Sequence, residues 1–210
     1  MKNNIETLSP DSTYHIFNRA NGNEKLFLLG GNYDYFLEKY KTNISPIADT
    51  FCYCLMPNHF HFLLRIKNEK ELRTLTGFKT LSVLPQLEKN TAISKHLSNQ
   101  FSNLFNGYTQ AFNKQNNRKG NLFMRPYKRI AVTKESYLLK LVQYIHFNPI
   151  EAGLCNKLTE WKYSSYNILT SRGETFLKRQ EVIEWFADLE NFKHVHLDFP
   201  KEKIIEINKL

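Results

Sequence analysis

A chain of 210 residues with 41% hydrophobic side chains can bury one substantial core, and its apolar stretches are all far shorter than a membrane span. Three cysteines, two of them close together as Cys52 and Cys54, argue for reduced thiols rather than a secreted disulfide scaffold. Of the net charge of +9, residues 91–140 carry +8, nine Lys or Arg against the single acid Glu135; an excess gathered in one segment points to a polyanionic partner rather than to a uniformly solvated surface.

In chain order, residues 12–18 are rich in β-formers and read as a strand, with a turn at residues 21–23. Tyr33, Phe36, Leu37 and Tyr40 recur at helical spacing over residues 32–43, with Asn32 as a candidate N-cap and Pro46 just beyond. Residues 50–55 and 59–66 read as two strands of a hairpin joined by Met56-Pro57-Asn58. The polar stretch 67–93 reads as an excursion, weakly helical over 69–75 and broken at Pro85. A long helix is expected over 94–113, capped by Ser94, because Leu97, Phe101, Leu104, Phe105, Tyr108 and Phe112 keep the apolar period. A polar loop at 116–120 and extended chain over 121–132 follow. Thr133 is then expected to cap a helix over 134–146 that Pro149 limits. Beyond Gly153 the chain reads as loop to Tyr166, as helix over 180–189 and as a charged tail from 193 to 210. This order predicts an α+β fold, a ferredoxin-like antiparallel sheet with helices packed on it. Residues 1–166 are expected to form the main domain and 167–210 a C-terminal helix and tail.

On a strand, side chains two apart leave one face roughly 6 to 7 Å apart, so His59 and His61 point together and can converge on one cation. Phe60, Phe62 and Leu64 point to the opposite side, toward a core. His194 and His196 have the same spacing but sit in the expected charged tail, and read as a structural or surface feature. Cys52 and Cys54 offer a rival, a structural zinc site shared with His59 and His61. Between residues 101 and 137 cations alternate with Phe105, Tyr108, Phe112, Phe123 and Tyr127, a combination suited to single-stranded nucleic acid.

The phrase Leu55-Met56-Pro57-Asn58-His59-Phe60-His61-Phe62 resembles the HUH motif, histidine, hydrophobic residue, histidine, of the REP-associated tyrosine transposases, single-tyrosine HUH transposases. The resemblance extends to Tyr14-His15-Ile16-Phe17-Asn18-Arg19, to Phe112-Asn113 with residues 118–123, to Tyr127-Lys128-Arg129 and to Tyr144-Ile145-His146-Phe147-Asn148-Pro149, and so covers residues 12–166 in the family's order. It implies the HUH motif on a central strand, Tyr144 as nucleophile, and Mg²⁺ or Mn²⁺ held by His59, His61 and Asn148, the last at a position often occupied by glutamine in relatives. Tyr144 and Asn148 are four apart, hence on one face of a helix. The implied reaction is metal-dependent nicking and rejoining of single-stranded or hairpin-flanked DNA through a 5′-phosphotyrosine. Arg19, Lys114, Arg118, Lys119, Arg125, Lys128 and Arg129 are the candidates for phosphate contacts. His15 and His146 read as structural histidines near the site. A cytoplasmic, nucleoid-associated protein, without membrane contact and with a homodimer possible, is the matching expectation. The alternatives are a domesticated DNA-binding protein without turnover, the zinc protein above, and a replication or conjugation initiator, for whose extra domains the chain has little room.

Overall fold

In the computed structural model, which describes residues 6–75 and 86–197, alternating side chains build a sheet with two differently used faces. Its strands are β1 (Thr13–Arg19), β2 (Ala48–Met56), β3 (His59–Ile66) and β4 (Lys128–Ala131). They pair antiparallel in the order β2-β3-β1-β4, the ferredoxin-like arrangement, with β3 inside the sheet as expected. The helices are α1 (Gly30–Asn43), α2 (Glu69–Arg73), α3 (Gln86–Gln115), α4 (Glu135–Glu151), α5 (Tyr166–Leu169), α6 (Arg179–Trp185) and α7 (Leu189–Leu197), with a short 3₁₀ turn at Leu158–Glu160.

One face of the sheet is aromatic and lies under α1 and α3. Tyr40 stacks on Phe62 at 4.0 Å between ring centroids, Phe36 lies 5.3 Å from Phe60, and Phe105 of α3 lies 5.8 Å from Phe60. Each such buried ring contributes on the order of 1.5–3 kcal/mol by leaving water. The other face carries His59 and His61 and is covered by α4, whose Tyr144 lies 5.5 Å from His61. The histidine face is therefore partly roofed rather than open.

Several elements differ from the sequence reading in their limits. α1 starts two residues earlier; Asn32 still satisfies the start, but from inside the helix, its Oδ1 accepting from the amides of Leu28 and Leu29 at 3.0 Å. α3 starts at Gln86, so Ser94 is interior; Leu87, Ala92 and Ile93 are the apolar residues of its otherwise polar first turns, and Lys89, which pairs with Glu69 of α2, anchors them. α4 is entered from Lys134 and runs through Pro149, which forfeits a single amide bond because the helix ends two residues later and Gly153, with φ of 67°, turns the chain away. α7 forms where a charged tail was expected, because Phe192 and His196 are four apart and both buried. Pro85 and the tail from 198 lie outside the described residues.

Residues 161–178 run along the outer side of β2. Leu55 donates to Tyr163 O at 3.0 Å, Ser165 to Tyr53 O at 2.9 Å and Lys178 to Thr50 O at 2.9 Å, while the Trp161 indole donates to Leu55 O at 3.0 Å. Trp185 then packs on Phe51 at 4.6 Å, and Arg65 of β3 pairs with Glu181 of α6. Residues 167–197 thus fold back on the same sheet. Among the described residues no helix is long and apolar enough to cross a membrane.

Candidate active site

The two histidines leave the hairpin turn Pro57-Asn58, which is pinned from outside. Pro57 O accepts from Leu26 and Phe27 at 2.7 and 3.1 Å, and Asn58 O accepts from Ala20 at 2.8 Å. His59 Nδ1 lies 2.7 Å from Asn58 Oδ1, an atom that only accepts, so the proton is on Nδ1. His61 Nδ1 lies 2.9 Å from Nε2 of His15, and the two rings stack at 5.1 Å. His15 stands opposite Leu63 in the β1/β3 ladder, so this bond runs diagonally across one sheet face.

All three imidazoles are held neutral, the state in which a histidine binds a cation. Burial lowers His15 to about 3 and His61 well below the ordinary value, His61 further through the neighbouring His15 and His59. His59 is lowered by burial, partly restored by a hydrogen bond with Asn148 and lowered again by Arg19. Tyr144 is 6% exposed, so burial pushes its hydroxyl up to about 12 against the opposing effect of Asn148. Asn148, one turn along α4, donates from Nδ2 to Tyr144 O at 2.7 Å and interacts with both the His59 ring and the Tyr144 side chain.

The structure therefore brings His59, His61, Tyr144 and Asn148 together. A cleft of 560 Å³ is lined by His59, His61 and Tyr144 together with the cations Arg19, Arg125 and Lys128. The remaining candidate cations are elsewhere. Arg129 follows Lys128 on β4 and so points to the other face. Arg118 is engaged by the Glu24 carboxylate, the Asn113 side chain and the carbonyls of Gly120 and Asn121. Lys114 and Lys119 are exposed and do not line the cleft.

His59, His61 and Asn148 are the residues here that could hold a divalent cation. Two neutral imidazoles have their Nδ1 atoms engaged by His15 and Asn58, which leaves Nε2 of each as the nitrogen for a cation, and the Asn148 amide interacts with the His59 ring. Among the described residues no group of three His, Cys, Asp or Glu joins them, so the set carries no charge of its own. The zinc alternative finds less support. Cys54 does share the face of His61, directly opposite it in the ladder, but Cys52 and Cys54 are fully buried and their thiols are pushed well up by burial, which disfavours the thiolates that zinc requires. His146 sits between Ser165 Oγ at 2.8 Å and His196 Nε2 at 2.9 Å, a buried structural network, and His194 is exposed.

Asn58 was not singled out from sequence, because its part needs the turn; His15, read there as a structural histidine near the site, is the partner that holds His61.

No protein-family model matches the chain. A curated Haemophilus influenzae protein named as a REP-associated tyrosine transposase is 25% identical over 122 residues, a match covering 57% of this chain and 59% of that relative. The match thus spans less than two thirds of the relative's length. A solved structure of a REP-associated tyrosine transposase bound to a REP hairpin superposes with a TM-score of 0.58 at 13% identity, covering 84% of this chain and 90% of that one. In sequence and in fold, the chain is like the REP-associated tyrosine transposases. The sequence similarity and the shared fold both agree with the resemblance read from the HUH phrase.

Proposed function

We propose that this chain nicks and rejoins hairpin-flanked single-stranded DNA as a transposase-type enzyme, with Tyr144 as nucleophile. The observation that carries the reading is that Tyr144 of α4 lines one cation-lined cleft with His59 and His61 of β3, within one chain, while Asn148, one turn further along α4, interacts with both Tyr144 and His59. The relatives support it: one is named a transposase and the other is bound to a DNA hairpin.

A phosphodiester repels an oxygen nucleophile by its own negative charge; Mg²⁺ or Mn²⁺ held by His59, His61 and Asn148 would supply the neutralisation of a non-bridging oxygen. Arg19, Arg125 and Lys128 grip the phosphates on either side, which fixes the strand without reading its sequence. Asn148 orients the phenol, opposing the burial that keeps its proton on. As the Tyr144 Oη–P bond forms, the P–O3′ bond breaks, and the proton lost by the phenol ends on the departing 3′-oxygen. The phosphotyrosine retains the bond energy, so a 3′-hydroxyl attacking it rejoins strands without a nucleotide cofactor.

The test is incubation with labelled hairpin oligonucleotides in Mn²⁺ or in EDTA, followed by denaturing electrophoresis. A protein–DNA adduct that survives denaturation, requires Mn²⁺ and is lost in Tyr144→Phe, while that variant still binds DNA, is the expected result. Equal nicking by Tyr144→Phe removes the tyrosine from the mechanism. The burial of the Tyr144 hydroxyl favours one second reading, a DNA-binding protein without turnover, which gives binding and no adduct under every metal condition.

A further inference from the structure

A second cavity, of 480 Å³, lies on the far side of the Met124-Arg125-Pro126 segment from the histidines, between that segment and α3. Those three residues and Asn18 line both cavities. Its apolar wall is Phe105, Phe123, Met124 and Pro126, and its polar groups are the amides Asn18, Asn106 and Asn121 with the α3 hydroxyls Ser98, Ser102 and Thr109. The volume is that of a small-molecule site, and the mixture of apolar wall and convergent amides is what a nucleobase needs.

The cations supply the second half of the argument. Arg129 is half-buried, its guanidinium 5.1 Å over the Tyr127 ring, and among the described residues it donates only to neutral oxygens, Ser98 Oγ at 3.1 Å and Tyr127 Oη at 2.8 Å. Among the described residues its Nε is buried without a partner. Arg125 donates to Asn106 Oδ1 at 3.1 Å. Among the described residues no carboxylate pairs with either arginine. Two guanidinium groups with spare donors beside an amide-lined apolar cavity match one phosphate and one base.

We infer that this cavity is a nucleotide subsite, which takes one unpaired nucleotide of the strand, its base against Phe105 and Phe123 and its phosphate at Arg129 and Arg125. The part assigned to DNA strand recognition rests on the function proposed above; mononucleotide binding does not. Sequence preference then arises here, on the face opposite the chemistry, from amide contacts to the base edge.

Full-length protein titrated by calorimetry with each of the four deoxynucleoside 5′-monophosphates and with inorganic phosphate tests this. Saturable binding of at least one nucleotide, tighter than phosphate and differing between bases, is expected. Ser102→Trp, which fills the cavity from an exposed helix position, should weaken it by roughly tenfold or more. Asn103→Trp, a neighbouring exposed position outside the cavity, should not, and thermal melting of both variants controls for folding. Nucleotides binding no better than phosphate, or undiminished binding by folded Ser102→Trp, overturns the subsite. If nucleotides bind as described while no adduct forms on Tyr144, the strand-joining reading fails and the subsite stands. Adduct formation with the same dependence on flanking sequence in wild type and Ser102→Trp does the reverse.

Discussion

His15 engages Nδ1 of His61 and so aims its other nitrogen into the cleft. Removing that partner, in His15→Ala, should weaken Mn²⁺ binding by about 10- to 100-fold with the fold intact, as losses behind metal-binding histidines commonly do; calorimetric titration with Mn²⁺ measures it. A glutamine reaches one methylene further than Asn148, so on the proposed metal site Asn148→Gln should bind Mn²⁺ at least as well as wild type, while Asn148→Ala should lose both metal affinity and adduct yield. Unchanged Mn²⁺ affinity in Asn148→Ala would show that the amide is not a ligand. His59 and His61 were legible from sequence because a period of two needs no partner strand. His15 was legible only as a structural histidine near the site, because its diagonal contact with His61 appears once β1 is placed against β3. Arg118 shows the converse: a cation in the right segment that Glu24, far away in sequence, neutralises.

At the level of elements, α7 is tied to α4 by the buried His146–His196 pair. Burial lowers His196 to about 4 and His146 well below the ordinary value, so both are neutral in the folded protein and protonate first in the unfolded chain. Their contribution is complete above pH 6.5, the unfolded value, and is lost as pH falls from there through about 4. For His196 this amounts to about 3 kcal/mol. The melting temperature should therefore drop steadily between pH 6.5 and 4, and less steeply in His196→Gln; equal slopes would dissociate the pair from acid sensitivity. The same helices mark where periodicity stops being informative. The first turns of α3 are too polar to display a period, Pro149 argues for an end at 146, five residues before the helix stops at Glu151, and α7 buries a histidine that a charged sequence context disguises.

For the molecule as a whole, strand and helix order sufficed for the ferredoxin-like sheet, although β2 is buried along almost its whole length and shows no alternation. What the sequence left hidden was which helix covers which face, and that one basic segment serves two cavities: Lys128 and Arg129 are consecutive on β4 and diverge. The packing of residues 167–197 has a measurable consequence. A chain ending at residue 166 loses Leu177, Val182, Phe186 and Phe192 from the core and uncovers Phe51, so it should melt without cooperativity and bind a hydrophobic dye. Glu181→Gln, by contrast, should shift stability by under about 1 kcal/mol, because Arg65 and Glu181 are each about one-third exposed (34% and 33%). The strip laid along β2 also governs association. Its amides and carbonyls are already taken by residues 163–178, so two copies cannot zip their sheets together through that rim. Sheet-to-sheet growth is left to β4, four residues long and carrying two like charges, a template on which neither fibres nor a continuous intermolecular sheet will readily start.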